Sequence, residues 1–260
     1  MMGIKAVDIH VNYGEKKVLN NINLEVKDGQ IVSIIGPNGS GKSTLLKALS
    51  RCIKPNKGSI YLDEEKLSSI PTKKIAQKMA ILPQVKNVLS DITVRNLVSY
   101  GRFPHLNFGQ RLNREDEDIV NWAIEKTGLM DLKYRYMANL SGGEQQRAWI
   151  AMSLAQKPEI LLLDEPTTFL DISYQLEVLQ LVKELNKSLN LTVIMVLHDL
   201  NQAARYSDNI FVLKQGRIWE WGKPEEILKG KLLKDVFRID GHIYRDRVNC
   251  CPYFIPHKVN

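Results

Sequence analysis

The sequence predicts an α/β protein with a mostly parallel sheet, and three stretches carry that prediction. Residues 31–35, "IVSII", form a short apolar run that enters a loop with three glycines and then "KSTLLKALS". Residues 160–163, "ILLL", and residues 193–197, "VIMVL", are apolar throughout. Apolar runs of this length, broken only by Ser33, mark strands covered on both faces, as parallel sheets flanked by helices require.

Taken in chain order, the first segment, "MMGIKAVDIHVNYGEKK", alternates apolar with polar residues and lacks an apolar leader core. It reads as a first strand rather than a secretion signal. Residues such as 4–11 and 18–27 are expected to form an N-terminal antiparallel β part. The glycine loop and its helix follow. After "ILPQ" at 81–84, the stretch to about residue 132 reads as several amphipathic helices joined by "GRFPH" and its neighbours, an inserted helical subdomain. Val88, Leu89, Phe103 and Phe108 in it are each expected to pack in a core, with a groove lining as the alternative. The expected division is one domain, with 1–85 and 157–230 as the α/β core, 86–156 as the helical subdomain, and 231–260 packed on the core as a closing strand or extension.

Composition excludes several classes. With 44% hydrophobic and 25% charged residues the chain has a globular make-up. No apolar run approaches the roughly 18–20 residues of a membrane span. Cys52, Cys250 and Cys251 lack zinc-site spacing and are expected as free thiols. The net charge of +7 comes from dispersed cations without a dense basic block, so nucleic acid is not an expected partner.

The loop "GPNGSGKST" supplies Gly36, Pro37, Asn38, Gly39, Ser40, Gly41, Lys42, Ser43 and Thr44, and fits G-x-x-x-x-G-K-[ST], the Walker A pattern. The glycines let the backbone wrap phosphates, and the helix starting near Lys42 aims free N–H groups and its positive dipole end at them. Lys42 is expected to reach the β- and γ-phosphates and Ser43 to ligate Mg²⁺. The "ILLLDEP" strand delivers Asp164 for Mg²⁺ and Glu165 to polarise an attacking water. In "LSGGEQQR", residues 140–147, Ser141 stands three positions before Glu144, the spacing of a capping box. Ser141, Gly142 and Gly143 thus offer a second helix N-terminus to an anion.

These stretches together resemble the ATP-binding cassette (ABC) ATPases, with "LSGGEQQR" matching their signature motif. The resemblance implies ATP and Mg²⁺ as ligands and a head-to-tail pair of copies, each nucleotide lying between Walker A of one and the signature of the other. It further implies that Tyr13 in "VNYG" stacks on adenine and that Gln84 reads the γ-phosphate and touches the Mg²⁺ or water. By the same resemblance, His198 in "VLHDL" contacts the γ-phosphate and steadies Glu165, and Asp171 in "TTFLD" signals between the two sites. The family's common "SALD" is "TFLD" here.

A GTPase would carry N-K-x-D, and "NKGS" and "NKSL" both lack the aspartate. A soluble ABC ATPase of DNA repair or translation is the alternative, but there is one cassette and no long coiled coil. "ITVRNLVSYGRFPH", "DEPTTFLDI", "HDLNQAARYSD" and "CCPYFIP" resemble ATPases of type II importers for ferric siderophores, haem and cobalamin. That implies polytopic permease subunits, an indirect substrate-binding protein, a place at the cytoplasmic membrane face, and an iron-chelate cargo with haem, cobalamin or molybdate behind it.

Overall fold

The computed structural model describes residues 3–84 and 91–259. Val88 and Leu89 lie outside these residues. The chain divides into two compact units, residues 1–69 with 192–260, and residues 70–191. Elements are numbered along the chain.

In the first unit, β1 (Gly3–Tyr13) pairs antiparallel with β2 (Lys16–Lys27) and, on its other edge, with β4 (Lys57–Leu62), which turns into the short β5 (Glu65–Lys66). Alternate residues Ile4 and Ala6 of β1, and Ile22, Leu24 and Val26 of β2, are buried, the period-2 pattern of a sheet with one covered face. The expected antiparallel part is therefore present. β3 (Ile31–Ile35) runs parallel to β8 (Thr192–Val196) on one side and β9 (Asn209–Lys214) on the other, and β10 (Arg217–Gly222) closes antiparallel on β9. β3 and β8 are buried at every residue, as their apolar runs require. Their polar exceptions are satisfied: Ser33 Oγ meets Ser207 Oγ at 2.6 Å, and Thr192 Oγ1 accepts from the Gly29 N–H. α1 (Lys42–Leu49) packs on this sheet through Leu45, Leu46 and Leu49. Beyond α7 (Leu200–Tyr206) come the short α8 (Pro224–Ile227) and α9 (Gly230–Leu232), then a separate two-stranded hairpin, β11 (Ile239–Asp246) with β12 (Cys251–Val259).

In the second unit, α2 (Thr72–Lys78) leads into β6 (Met79–Leu82), which pairs parallel with β7 (Ile160–Asp164). Within the two units β3–β8, β3–β9 and β6–β7 pair parallel and β9–β10 antiparallel, in keeping with the expected sheet. α3 (Val94–Ser99), α4 (Arg114–Lys126), α5 (Gly142–Ala155) and α6 (Ile172–Leu189) supply the helices. "GRFPH" is more than a joint. It forms a 3₁₀ turn over Tyr100–His105 that presses on α5, where a Cβ on Gly101 would lie 2.1 Å from the Met152 carbonyl oxygen. The Arg102 guanidinium donates to Asp116 at 3.0 Å and to the Ala155 carbonyl at 2.8 Å, capping the C-terminal end of α5 where the helix dipole is negative.

The core expectation fails for two aromatics. Phe103 is 59% exposed and Phe108 fully so. The first is carried outward on the 3₁₀ turn and leans on Tyr100, ring centroids 4.9 Å apart, because Gly101 and Arg102 occupy the inward positions. The three cysteines are free thiols as expected, and among the described residues no helix is long and apolar enough to cross a membrane.

The Arg102–Asp116 pair is buried on both sides. Burial works against ionisation of Asp116, but the Asn113 backbone N–H and the Arg102 guanidinium outweigh it and hold the carboxyl below the usual range. Arg102→Leu is expected to cost on the order of 3–5 kcal/mol by stranding that charge, and Arg102→Leu/Asp116→Leu much less, both read by urea denaturation. Since the folded pKa is depressed, the pair's contribution is present above the ordinary aspartate range and lost as pH falls through the lower folded value, so the parent's advantage over Arg102→Leu should shrink in acid.

Candidate functional site

The first unit builds the phosphate loop from backbone shape. Gly36, Gly39 and Gly41 have φ of 152°, 75° and 103°, where L side chains are rare. At two of them space is also decisive: a Cβ on Gly36 would lie 2.1 Å from the Leu213 carbonyl oxygen, and one on Gly41 2.7 Å from Leu19 Cδ2. The loop is thus pressed between β9 and β2 and turned into α1, with Lys42 and Ser43 in the first turn, where N–H groups have no intrahelical partner. Lys42, only 5% exposed, donates from Nζ to the carbonyls of Gly36 at 2.9 Å and Pro37 at 3.2 Å. Its charge therefore stands over the loop. Ser40 N–H donates to the Pro37 carbonyl, and the Ser40 carbonyl accepts from the Gly216 N–H at 3.1 Å.

Gly216, in the β9–β10 turn, was not foreseen as part of this loop. Its carbonyl also accepts from the Asn20 N–H at 2.8 Å, and a Cβ on it would lie 2.2 Å from the Val18 carbonyl oxygen. Only the "QG" turn signal marks it in the sequence. Tyr13 ends β1 with its ring half exposed, and His198 is exposed between β8 and α7. Asp199 caps α7 by accepting from the N–H groups of Asn201 and Gln202 at 2.7 and 2.9 Å, which fixes the backbone just after His198.

The second unit carries the carboxylates. Asp164 is the buried last residue of β7, and Glu165 beside it has a left-handed φ of 53°. That conformation costs a non-glycine residue about 1–3 kcal/mol and is retained where its surroundings enforce it. Gln84 Nε2 donates to Glu165 Oε2, and Thr168 Oγ1 donates to the same oxygen at 3.1 Å. The structure thus brings Gln84 and Glu165 together, 81 residues apart in sequence. Thr168, three positions after Glu165, was not singled out from the sequence.

Ser141 caps α5 as its spacing predicts: its N–H donates to Glu144 Oε2 at 2.7 Å, and the Glu144 N–H donates to Ser141 Oγ at 3.3 Å. The Ser141 N–H holds the Glu144 carboxyl below the usual range against the opposing effect of burial, helped by the Ser141 hydroxyl and by Arg147 and Arg135. Gly143 is buried against Tyr174, where a Cβ would lie 2.4 Å from the ring, whereas one on Gly142 would meet only Leu170 Cδ2, at 3.2 Å. Asp171 sits at the N-cap of α6 yet makes no side-chain capping bond, and the preceding Phe169 is 98% exposed.

The model of the ABC transporter family matches residues 19–168. The chain belongs to the ABC transporter family. It is 47% identical to the petrobactin import ATP-binding protein FpuC of Bacillus anthracis, over 95% of this chain and 90% of that one. It is 42% identical to the ferric enterobactin transport ATP-binding protein FepC of Escherichia coli K12, over 97% and 93%. Among solved structures, a transporter assigned to the metal-chelate ABC type, in an inward-facing conformation, is similar at a TM-score of 0.86 and 26% identity, covering 99% of this chain and 98% of that one. The dimeric bacterial ABC cassette MJ0796 is similar at 0.74 and 33%, covering 85% and 98%. The chain is an ABC cassette ATPase, and ATP is its nucleotide.

Gly143→Ala is expected to lower the melting midpoint more than Gly142→Ala, because Tyr174 is packed and Leu170 Cδ2 is a flexible end. Adding Tyr174→Ala should recover most of the difference, and failure of that recovery would show that the ring is not what Gly143 accommodates.

Proposed function

We propose that this ABC ATPase is the energy-supplying subunit of an importer for a ferric siderophore or related metal chelate. It would work as a head-to-tail pair of copies under polytopic permease subunits at the cytoplasmic face of the membrane, with a substrate-binding protein delivering cargo. The cargo class is supported by the siderophore-import relatives, which match along nearly their whole length. The chemistry is carried by one observation above all: Gln84 and Thr168 hold the carboxylate of Glu165 at the end of a buried strand, in a chain that also owns a glycine-built phosphate loop.

In this reading, the loop from Gly36 to Thr44 surrounds the phosphates, Pro37 shaping it without an N–H of its own, Asn38, Gly39 and Ser40 lining it and the first turn of α1 supplying N–H groups, and Lys42 neutralises the β- and γ-oxygens. Tyr13 offers its exposed ring to adenine. Ser43, Asp164 and Gln84 suit Mg²⁺, being a hydroxyl, a carboxylate and an amide, hard oxygen donors all. The Gln84 amide nitrogen is engaged by Glu165, which leaves its oxygen as the donor for an ion. When bound, that ion neutralises charge on the phosphates. Glu165 takes a proton from the attacking water as the new bond to the γ-phosphorus forms and the bond to the β-phosphate oxygen breaks, leaving ADP and phosphate. His198 contacts the γ-phosphate and steadies that water's base.

Ser141, Gly142 and Gly143 of the second copy hold the same γ-phosphate, and Asp171, not spent on its own helix, carries the signal between the two copies. A phosphate bound by both copies favours the closed pair by its differential affinity, and its release lets the pair open.

Glu165→Gln is expected to keep ATP binding while lowering turnover on the order of 100-fold or more and trapping a dimer. Turnover near the parent rate would remove Glu165 from this role. Ser141→Arg should leave monomers that bind ATP but do not pair, measured by light scattering with hydrolysis blocked. An undiminished dimer would reject the head-to-tail arrangement.

A further inference from the structure

The C-terminal hairpin carries a pair of metal-ligating side chains that the nucleotide chemistry does not use. His242 Nδ1 and His257 Nε2 meet in a direct nitrogen-to-nitrogen contact, with rings edge to face and centroids 4.4 Å apart. The register places His242 opposite Ile255, so His257 is its diagonal neighbour two positions along β12. Side chains so related share one face of the sheet and reach one another. The neighbouring rung is aromatic: Tyr244 and Tyr253 stack with centroids 5.6 Å apart, and the Tyr244 ring lies 6.2 Å from that of His242. The nearby Asp240 is engaged by Lys258 at 3.6 Å.

Two neutral imidazoles touch nitrogen to nitrogen by sharing a proton, one donating and one accepting. A divalent ion of borderline softness can take that proton's place, accepting both lone pairs at roughly 2.0–2.1 Å, while the donating ring moves its proton to its other nitrogen. We propose that His242 and His257 form a clamp for a transition ion of the nickel, zinc or copper type, with water filling the remaining positions. Imidazole pairs suit these ions and not magnesium, so the clamp does not compete for the ion of the phosphate site. Two protein ligands make it an exchangeable site rather than a structural one.

Its place in the fold gives it reach. On the rung next to that of His242, where Phe254 faces Ile243, the Phe254 N–H donates to Asn201 Oδ1 at 2.8 Å and the Phe254 carbonyl accepts from Asn201 Nδ2 at 3.2 Å. Asn201 lies in the first turn of α7, two residues after the Asp199 cap and three after His198. An ion that orders the hairpin therefore orders the start of α7 as well.

The test is calorimetric titration of Ni²⁺ into the untagged full chain. One ion per chain is expected, with affinity lowered at least about tenfold by His242→Gln or by His257→Gln alone, since the second ligand acts intramolecularly. His10→Gln, which alters a histidine paired with Asp8 elsewhere on the first unit, should bind as the parent does. Circular dichroism would verify that each variant is folded. The proposal is overturned if the parent binds no Ni²⁺ at millimolar concentration. It is equally overturned if either single variant binds as tightly as the parent, or if binding survives both replacements and is lost with Cys250→Ser/Cys251→Ser.

Discussion

What the rest of the molecule depends on is the close approach of bare backbone to its neighbours at a few glycines. An amide N–H can be aimed at a phosphate only if the loop bends through left-handed conformations and is then held still, because donors that must reorganise on binding lose much of their electrostatic worth. Gly36 against Leu213, Gly41 against Leu19 and Gly216 against Val18 provide that clamping. Hydrogen bonds join the same segments, from Asn20 to Gly216 to Ser40. β2, the β9–β10 turn and the phosphate loop thus form one braced assembly, and Lys42 ties the loop to its own carbonyls.

Glu165 illustrates the complementary device, in which strain is tolerated because burial enforces it. β7 is buried at every residue, and Pro166 and Thr167 just beyond Glu165 are buried as well. Removing a Leu or Ile side chain from water is worth about 1.5–3 kcal/mol, so the strand's hydrophobic gain exceeds the strain at the one residue that turns its carboxylate outward. Gln84 and Thr168 then fix the direction of that carboxylate. The glutamate proposed to meet a water is positioned by the more water-excluded strand of its unit.

The features legible in the sequence are those whose cause is local. The apolar runs of β3, β7 and β8 announced buried strands, the alternation at 4–11 announced a half-covered one, and Ser141 with Glu144 announced a helix start. Most of what escaped reading has a distant partner and therefore no local period. Arg102 is defined by Asp116 and Ala155, the packing of Gly143 by Tyr174, and Gly216 by Val18 and Ser40; Thr168, close in sequence to its partner, is defined by the rotamer of Glu165, which no pattern marks. "GRFPH" looked like a joint because glycine and proline usually mark one, yet here the glycine permits a contact and the arginine caps a helix. Phe103 and Phe108 were expected inside on hydrophobicity alone, and the inward positions of that turn were already taken.

The two helix starts proposed to meet the nucleotide also differ in a way that suits them to different tasks. At the first, Lys42 adds a full positive charge to the N–H groups of α1. At the second, the Ser141 N–H and the Ser141 oxygen are occupied by Glu144, whose ionised carboxylate adds negative charge at the N-terminus of α5. What remains for a phosphate there is the N–H groups of Gly142 and Gly143, both neutral donors. Such a cradle is too weak to capture a free nucleotide against its own carboxylate. In the proposed head-to-tail pair it would still contribute, once the charge is already neutralised by Lys42 of another copy. An arrangement in which one loop captures and the other only closes over what has been captured makes pairing of the copies conditional on bound ATP, which is the property a transport cycle requires.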